Sequence, residues 1–179
     1  NYKAGVLIGE YAKVAMAGKK PVIATLDLFP GHPVGAQRHN GFLKGYGLKS
    51  LEAKSNELAQ PAEVVCMADS YGDAAKGQTG MENCLQKNPG INLVYTINEP
   101  AAAGAYKALK AAGITGDKQL LVTLSVTEDE MTGVGGENFA GFYSSMKYFQ
   151  SLDNENNKKF VAAFKAKYGK DAVIGDVTQ

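Results

Sequence analysis

The chain predicts an α/β fold: a flavodoxin-like (Rossmann-like) doubly wound parallel sheet of five strands in the order 2-1-3-4-5. Three observations carry that reading. Short β-branched apolar runs alternate with segments of helical period, helix-stopping Gly residues and polar caps fall at the joints, and the strand runs are apolar on both faces, as buried parallel strands are. Ala4, Leu7, Ile8, Tyr11 and Ala15 recur at helical spacing before Gly18. Pro21 opens PVIATLDLF, the first strand, and Gly31 begins the loop into a helix carrying Val34, Phe42 and Tyr46 and ending at Gly47. EVVCMA (63 to 68) leads through Asp69-Ser70-Tyr71-Gly72 to a helix capped by Asp73 and ended by Asn88-Pro89-Gly90. INLVYTI (91 to 97) leads to a helix over 100 to 112, with Pro100 in its first turn and Gly113 past its end. LLVTLSV (120 to 126) is the fourth strand, and 127 to 141 is acidic and then Gly-rich, read as a loop. FYSSMKYFQS (142 to 151) suits either a strand or a helix; Asp153 caps a helix over 154 to 168, and AVIGDV (172 to 177) is the fifth strand. Right-handed crossovers join such units.

At 179 residues the chain is about one generous domain, and we read 1 to 179 as a single lobe. Its 19 basic and 18 acidic residues leave a formal charge of +1 with the signs interspersed, which argues against nucleic acid or an anionic membrane as partners. No apolar run reaches the length of a spanning helix, and no basic-then-apolar leader opens the chain, so we expect no signal peptide and a processed or excised product beginning at Asn1. Cys66 and Cys84 have neither metal-ligand spacing nor the pattern of a disulfide framework, and read as core thiols that leave the compartment open.

In a parallel sheet, ligands are held where the carboxyl ends of strands meet the unpaired N–H groups of the following helices. The most informative joint is VYTINEPAAAGAY (94 to 106), where Asn98 can cap the helix and also hydrogen-bond a ligand hydroxyl. Asp27, Asp69, Asn98, Glu99, Ser125, Thr127 and Gln179 should gather at that edge, and Arg38 could reach back over it as a fork-shaped donor. Phosphate-loop, GxGxxG, nucleophile-elbow and HExxH signatures are missing, so no enzyme, cofactor or metal is expected. His32 and His39 read as exposed, Glu128-Asp129-Glu130 as a solvated loop rather than a cation site, and nothing says that Asp27 and Asp69 share a substrate.

VIATLDLFPGHPVGAQRHNGFLKGYG, together with MENCLQKNPGINLVYTINEPAAAGAYKALKAAG, resembles the carboxyl-terminal lobe of type I periplasmic binding proteins, in the ribose- and fructose-binding group that feeds ABC transporters. The resemblance covers about residues 1 to 117. It implies a periplasmic parent that binds a small sugar between two lobes and delivers it to a permease, with Arg38 (in QRHNGF) and Asn98 (in INEP) on the sugar; Asp27, Glu99 and Asp69 join them as ligand candidates from their place at the strand ends. The family's Asp-Gly pair after the fourth strand is Ser125-Val126-Thr127 here. From about 119 to 179 the wording is instead similar to urea- and short-chain-amide-binding proteins, which suggests a recombined or engineered chimera. The leading expectation is a non-enzymatic solute-binding lobe with little affinity alone. The alternatives are the effector-binding core of a transcription regulator, which would lack its helix-turn-helix, and a stand-alone flavodoxin-like enzyme, which would lack its phosphate loop.

Overall fold

The computed structural model describes residues 1–114, 119–136 and 141–174. In chain order the elements are α1 (Tyr2–Ala15), β1 (Ile23–Asp27), α2 (Pro33–Tyr46), β2 (Val64–Asp69), α3 (Ala74–Lys87), β3 (Leu93–Thr96), α4 (Glu99–Ala111), β4 (Leu120–Leu124), α5 (Glu128–Val134), β5 (Phe142–Ser145) and α6 (Glu155–Tyr168). The five strands form one sheet in the order β2-β1-β3-β4-β5, every neighbouring pair parallel. The α1–α2 pair covers one face and the α3–α4 pair the other. The alternation of side chains along β1 follows: Thr25 and Asp27 look towards α2, while Leu26 lies under Gly80 of α3.

The central strands are apolar because both faces are covered. Ile23, Ala24, Leu26, Leu93, Val94 and Tyr95 are fully buried, and the Phe42 ring stacks on Tyr95 with centroids 4.4 Å apart. The helix starts are satisfied locally. His32 Nδ1 accepts from Gly35 N at 3.3 Å, Asp73 Oδ1 from Lys76 N at 2.9 Å, and Asn98 Oδ1 from Ala101 N at 3.2 Å.

Five expectations are corrected. The fifth strand of the sheet is Phe142–Ser145; of the expected 172 to 177, Ala172–Ile174 is not strand, and 175 to 177 lies outside the described residues. Ile174 is buried all the same, and its N–H donates to Gln150 Oε1 at 2.8 Å, so a side chain does the work of a ladder partner. The cysteines are bonded, Cys66 of β2 to Cys84 of α3, with Cα atoms 5.6 Å apart. His39 is fully buried; only His32 keeps partial exposure. The acidic triplet opens α5 instead of lying in a loop: Glu130 closes a capping box with Thr127, and Glu128 accepts from Gln150 N (3.0 Å) and Ser151 N (2.8 Å); burial pushes its carboxyl up, but the Ser151 side chain and these backbone donors outweigh that and hold it below the usual range. Similarly, α6 is capped by Asn154, while Asp153 pairs with Lys158 Nζ at 2.7 Å.

Candidate functional site

Parallel strands of matched register bring the ends of β1, β2 and β3 to one edge. Asp27 pairs in register with Asp69, and Leu26 with Thr96, so the segments leaving these strands start side by side. Arg38, one and a half turns into α2, crosses to the β3 end: its Nη1 donates to Ile97 O at 2.9 Å and its Nε to Asn1 Oδ1 at 3.1 Å. The next residue is Asn98, half-buried, whose Nδ2 donates to Gly72 O at 3.3 Å. Arg38, Asn98 and the Ser70–Gly72 turn are therefore brought together.

Asp27 is not free at this edge. Its carboxylate is 1% exposed, accepts from Thr25 Oγ1 at 2.7 Å and meets His39 Nδ1 at 2.9 Å, because strand alternation turns it beneath α2. Thr127 is likewise buried and spent on its capping box, and Ser125 sits at φ 72°, turning the chain from β4 into α5. Gln179 lies outside the described residues.

Asp69 is exposed and Glu99 half-exposed, and among the described residues neither carboxylate has a hydrogen-bond or ion-pair partner. Desolvation, then the charge of Asp27, raises the Asp69 pKa; desolvation, then Glu130, raises that of Glu99. Both carboxylates are held where ionisation is disfavoured, and a hydroxyl donor arriving from a ligand relieves that penalty.

Two aromatic side chains at this edge are not among the residues the sequence nominates as ligands, although the loops that carry them are. Phe29 is 40% and Tyr71 54% exposed, their rings stack with centroids 5.6 Å apart, His32 meets Phe29 edge-on at 4.9 Å, and Lys76 Nζ lies 3.9 Å over the outer ring. Tyr71 stands in the left-handed region, at φ 55°. A signal was present: Phe29 follows Asp27 by two residues as Tyr71 follows Asp69, and the two aspartates are register partners. The edge thus offers an aromatic face for stacking, and a guanidinium, an amide and two unpaired carboxylates for hydrogen bonds. Among the described residues no cluster of His, Cys, Asp or Glu could hold a metal ion.

The profile of the periplasmic binding protein domain matches residues 71–179. The chain belongs to that family. The match extends to both sides of residue 118, the position of the expected seam. The ribose import binding protein of Bacillus subtilis is 32% identical over 108 residues, which are 59% of this chain and 32% of that protein. The crystal structure of a galactofuranose-binding protein superposes with a TM-score of 0.63 at 21% identity, covering 94% of this chain and 53% of that one, which establishes the fold. Limonene hydroxylase of Geobacillus stearothermophilus is 48% identical over 44 residues, only 8% of that protein and too little to carry an activity across. The chain thus spans about a third of the ribose-binding relative and half of the galactofuranose-binding structure.

Proposed function

We propose that this member of the periplasmic binding protein family forms one jaw of a non-enzymatic receptor that presents a small sugar to an ABC permease, the other jaw being a second lobe that closes over the β1–β2–β3 edge. The observation that supports this most is the convergence of Arg38, Asn98 and the Ser70–Gly72 turn on one edge. Relatives named for ribose and galactofuranose make a furanose-sized polyol the class to test. Arg38, Asn98, Asp69 and Glu99 would bond its hydroxyls, Phe29 and Tyr71 would stack on its ring, and Asp27 would act from beneath. The Cys66–Cys84 bond suits the oxidising periplasm. Among the described residues no helix is long and apolar enough to cross a membrane.

A sugar on one open face still competes with water. Each hydrogen bond then contributes about 0.5–1.5 kcal/mol against an immobilisation cost that a single jaw does not reduce. Three or four such bonds leave millimolar affinity or weaker, about −4 kcal/mol at best. In titrations of the isolated chain with ribose, fructose, glucose, urea and acetamide we expect no micromolar heat, and with sugar at tens of millimolar we expect NMR shift changes confined to residues 27–38, 69–72 and 98–99. Shift changes located elsewhere would sink the site. Micromolar binding lost in Arg38→Ala would show that the chain is a working receptor by itself.

The 119–179 segment keeps its own proposal: residues recruited from an amide-binding branch, packing against neighbours they were not selected with. Hydrogen exchange across the described part of 127–151 should then open more readily than β1 to β3. Equal protection would favour a single lineage.

A further inference from the structure

Under the candidate edge lies a buried polar group for which sugar binding has no use. His39 of α2 has both ring nitrogens engaged: Nδ1 with Asp27 Oδ1 at 2.9 Å and Nε2 with Ala59 O at 2.8 Å. A peptide carbonyl can only accept, so Nε2 carries a hydrogen. The contact at Nδ1 requires a second hydrogen between imidazole and carboxyl, and the stronger base of the two is the imidazole. His39 is therefore an imidazolium with two donated bonds, one to the end of β1 and one to the segment 48–60, which has no helix or strand. Asn40, the next residue, fixes the same segment: its Nδ2 donates to Glu57 O at 2.8 Å, and its Oδ1 accepts from Ala59 N at 3.1 Å and Leu51 N at 3.4 Å. Removing one proton from His39 leaves one of its two ring nitrogens facing an acceptor with nothing to donate, a buried mismatch.

We propose that the buried Asp27–His39 pair is a proton-operated clamp that fastens the 48–60 segment to the carboxyl end of β1 and releases it when the imidazolium loses its proton. The groups that bear on it are few. From β1 there is Asp27; from β2, Asp69, whose carboxyl senses Asp27; from β3, the Tyr95 phenol, edge-on to the His39 ring at 6.5 Å and itself under the influence of Asp27 and Arg38; the 48–60 segment contributes only the Ala59 carbonyl. Burial alone pulls the His39 pKa down; the Asp27 charge, its hydrogen bond and the Ala59 carbonyl overcome this and leave it above the ordinary 6.5. A raised folded value means that the clamp is fully closed below about pH 6.5 and is lost as pH rises through the folded value. Between those two limits, the opening equilibrium rises about tenfold per pH unit and is flat on either side.

The test uses the whole chain and needs no ligand, so its failure is separate from failure of the sugar reading. NMR titration of the His39 ring, assigned with His32→Asn, should show it protonated on both nitrogens at pH 6 and titrating above the ordinary imidazole value of about 6.5. Exchange protection at Leu51 and Ala59, corrected for intrinsic rates, should fall with the His39 midpoint, and that pH dependence should vanish in His39→Gln. A His39 midpoint at or below about 6.5 would overturn the clamp. So would loop protection that ignores the His39 titration, in the wild-type chain alone if the variant does not fold.

Discussion

Replacing both Cys66 and Cys84 by Ala should cost about 3 kcal/mol of stability, the loop-closure value for a crosslink spanning 18 residues. For a chain of this size that lowers Tm by about 6–12 °C. The bond ties β2, an edge strand of the sheet, to α3, the helix that covers it, and both cysteines are buried, at 5% and 0% exposure, so the variant also loses close packing. Calorimetry with and without reductant provides the check: the wild-type chain under reductant should melt near the double variant, and reductant should not move the variant. Equal Tm values in all four samples would mean that the bond contributes nothing.

Gly45→Ala should destabilise by about 3 kcal/mol or more, although Gly to Ala inside a helix ordinarily gains up to about 1 kcal/mol. The reason is the approach of α1 to α2. A Cβ at Gly45 would collide with the Val6 carbonyl, standing 2.7 Å from its carbon, and one at Gly9 would lie 2.8 Å from Tyr46 N. These obstacles are backbone, which cannot rotate aside, so the helices must separate and expose the buried face of Ile8, Ala12, Phe42 and Leu43. Gly133 in α5 is the control: nothing lies within 4 Å of a Cβ there, and Gly133→Ala should leave Tm equal or higher. The denaturant midpoint should fall for Gly45→Ala and stay equal or rise for Gly133→Ala; a parallel loss in both would refute the packing argument.

The alternation of strands and helices was legible because each element carries its own period and its own stop signals. The Asn98 and Asp73 caps were legible for the same reason, since a cap bonds within its own helix turn. The reach of Arg38 to the β3 end could be anticipated from helix geometry, although Ile97 O and Asn1 as its partners could not. The fifth strand was misplaced because AVIGDV and FYSS are both short and apolar enough; what separates them is which one finds β4. Phe142–Ser145 pairs with Leu121–Leu124, while Ile174 satisfies its backbone through Gln150.

The sequence by itself determined the α/β class, the parallel sheet and its order, and the edge at which polar residues collect, because these follow from periodicity and chain connectivity. Tertiary structure alone decided that Cys66 meets Cys84, that His39 is buried against Asp27, and that Phe29 stacks on Tyr71. Each of those pairs joins residues at least 12 positions apart on different elements. Whether their side chains meet depends on strand register and on the direction each face presents, which no local pattern in the chain records.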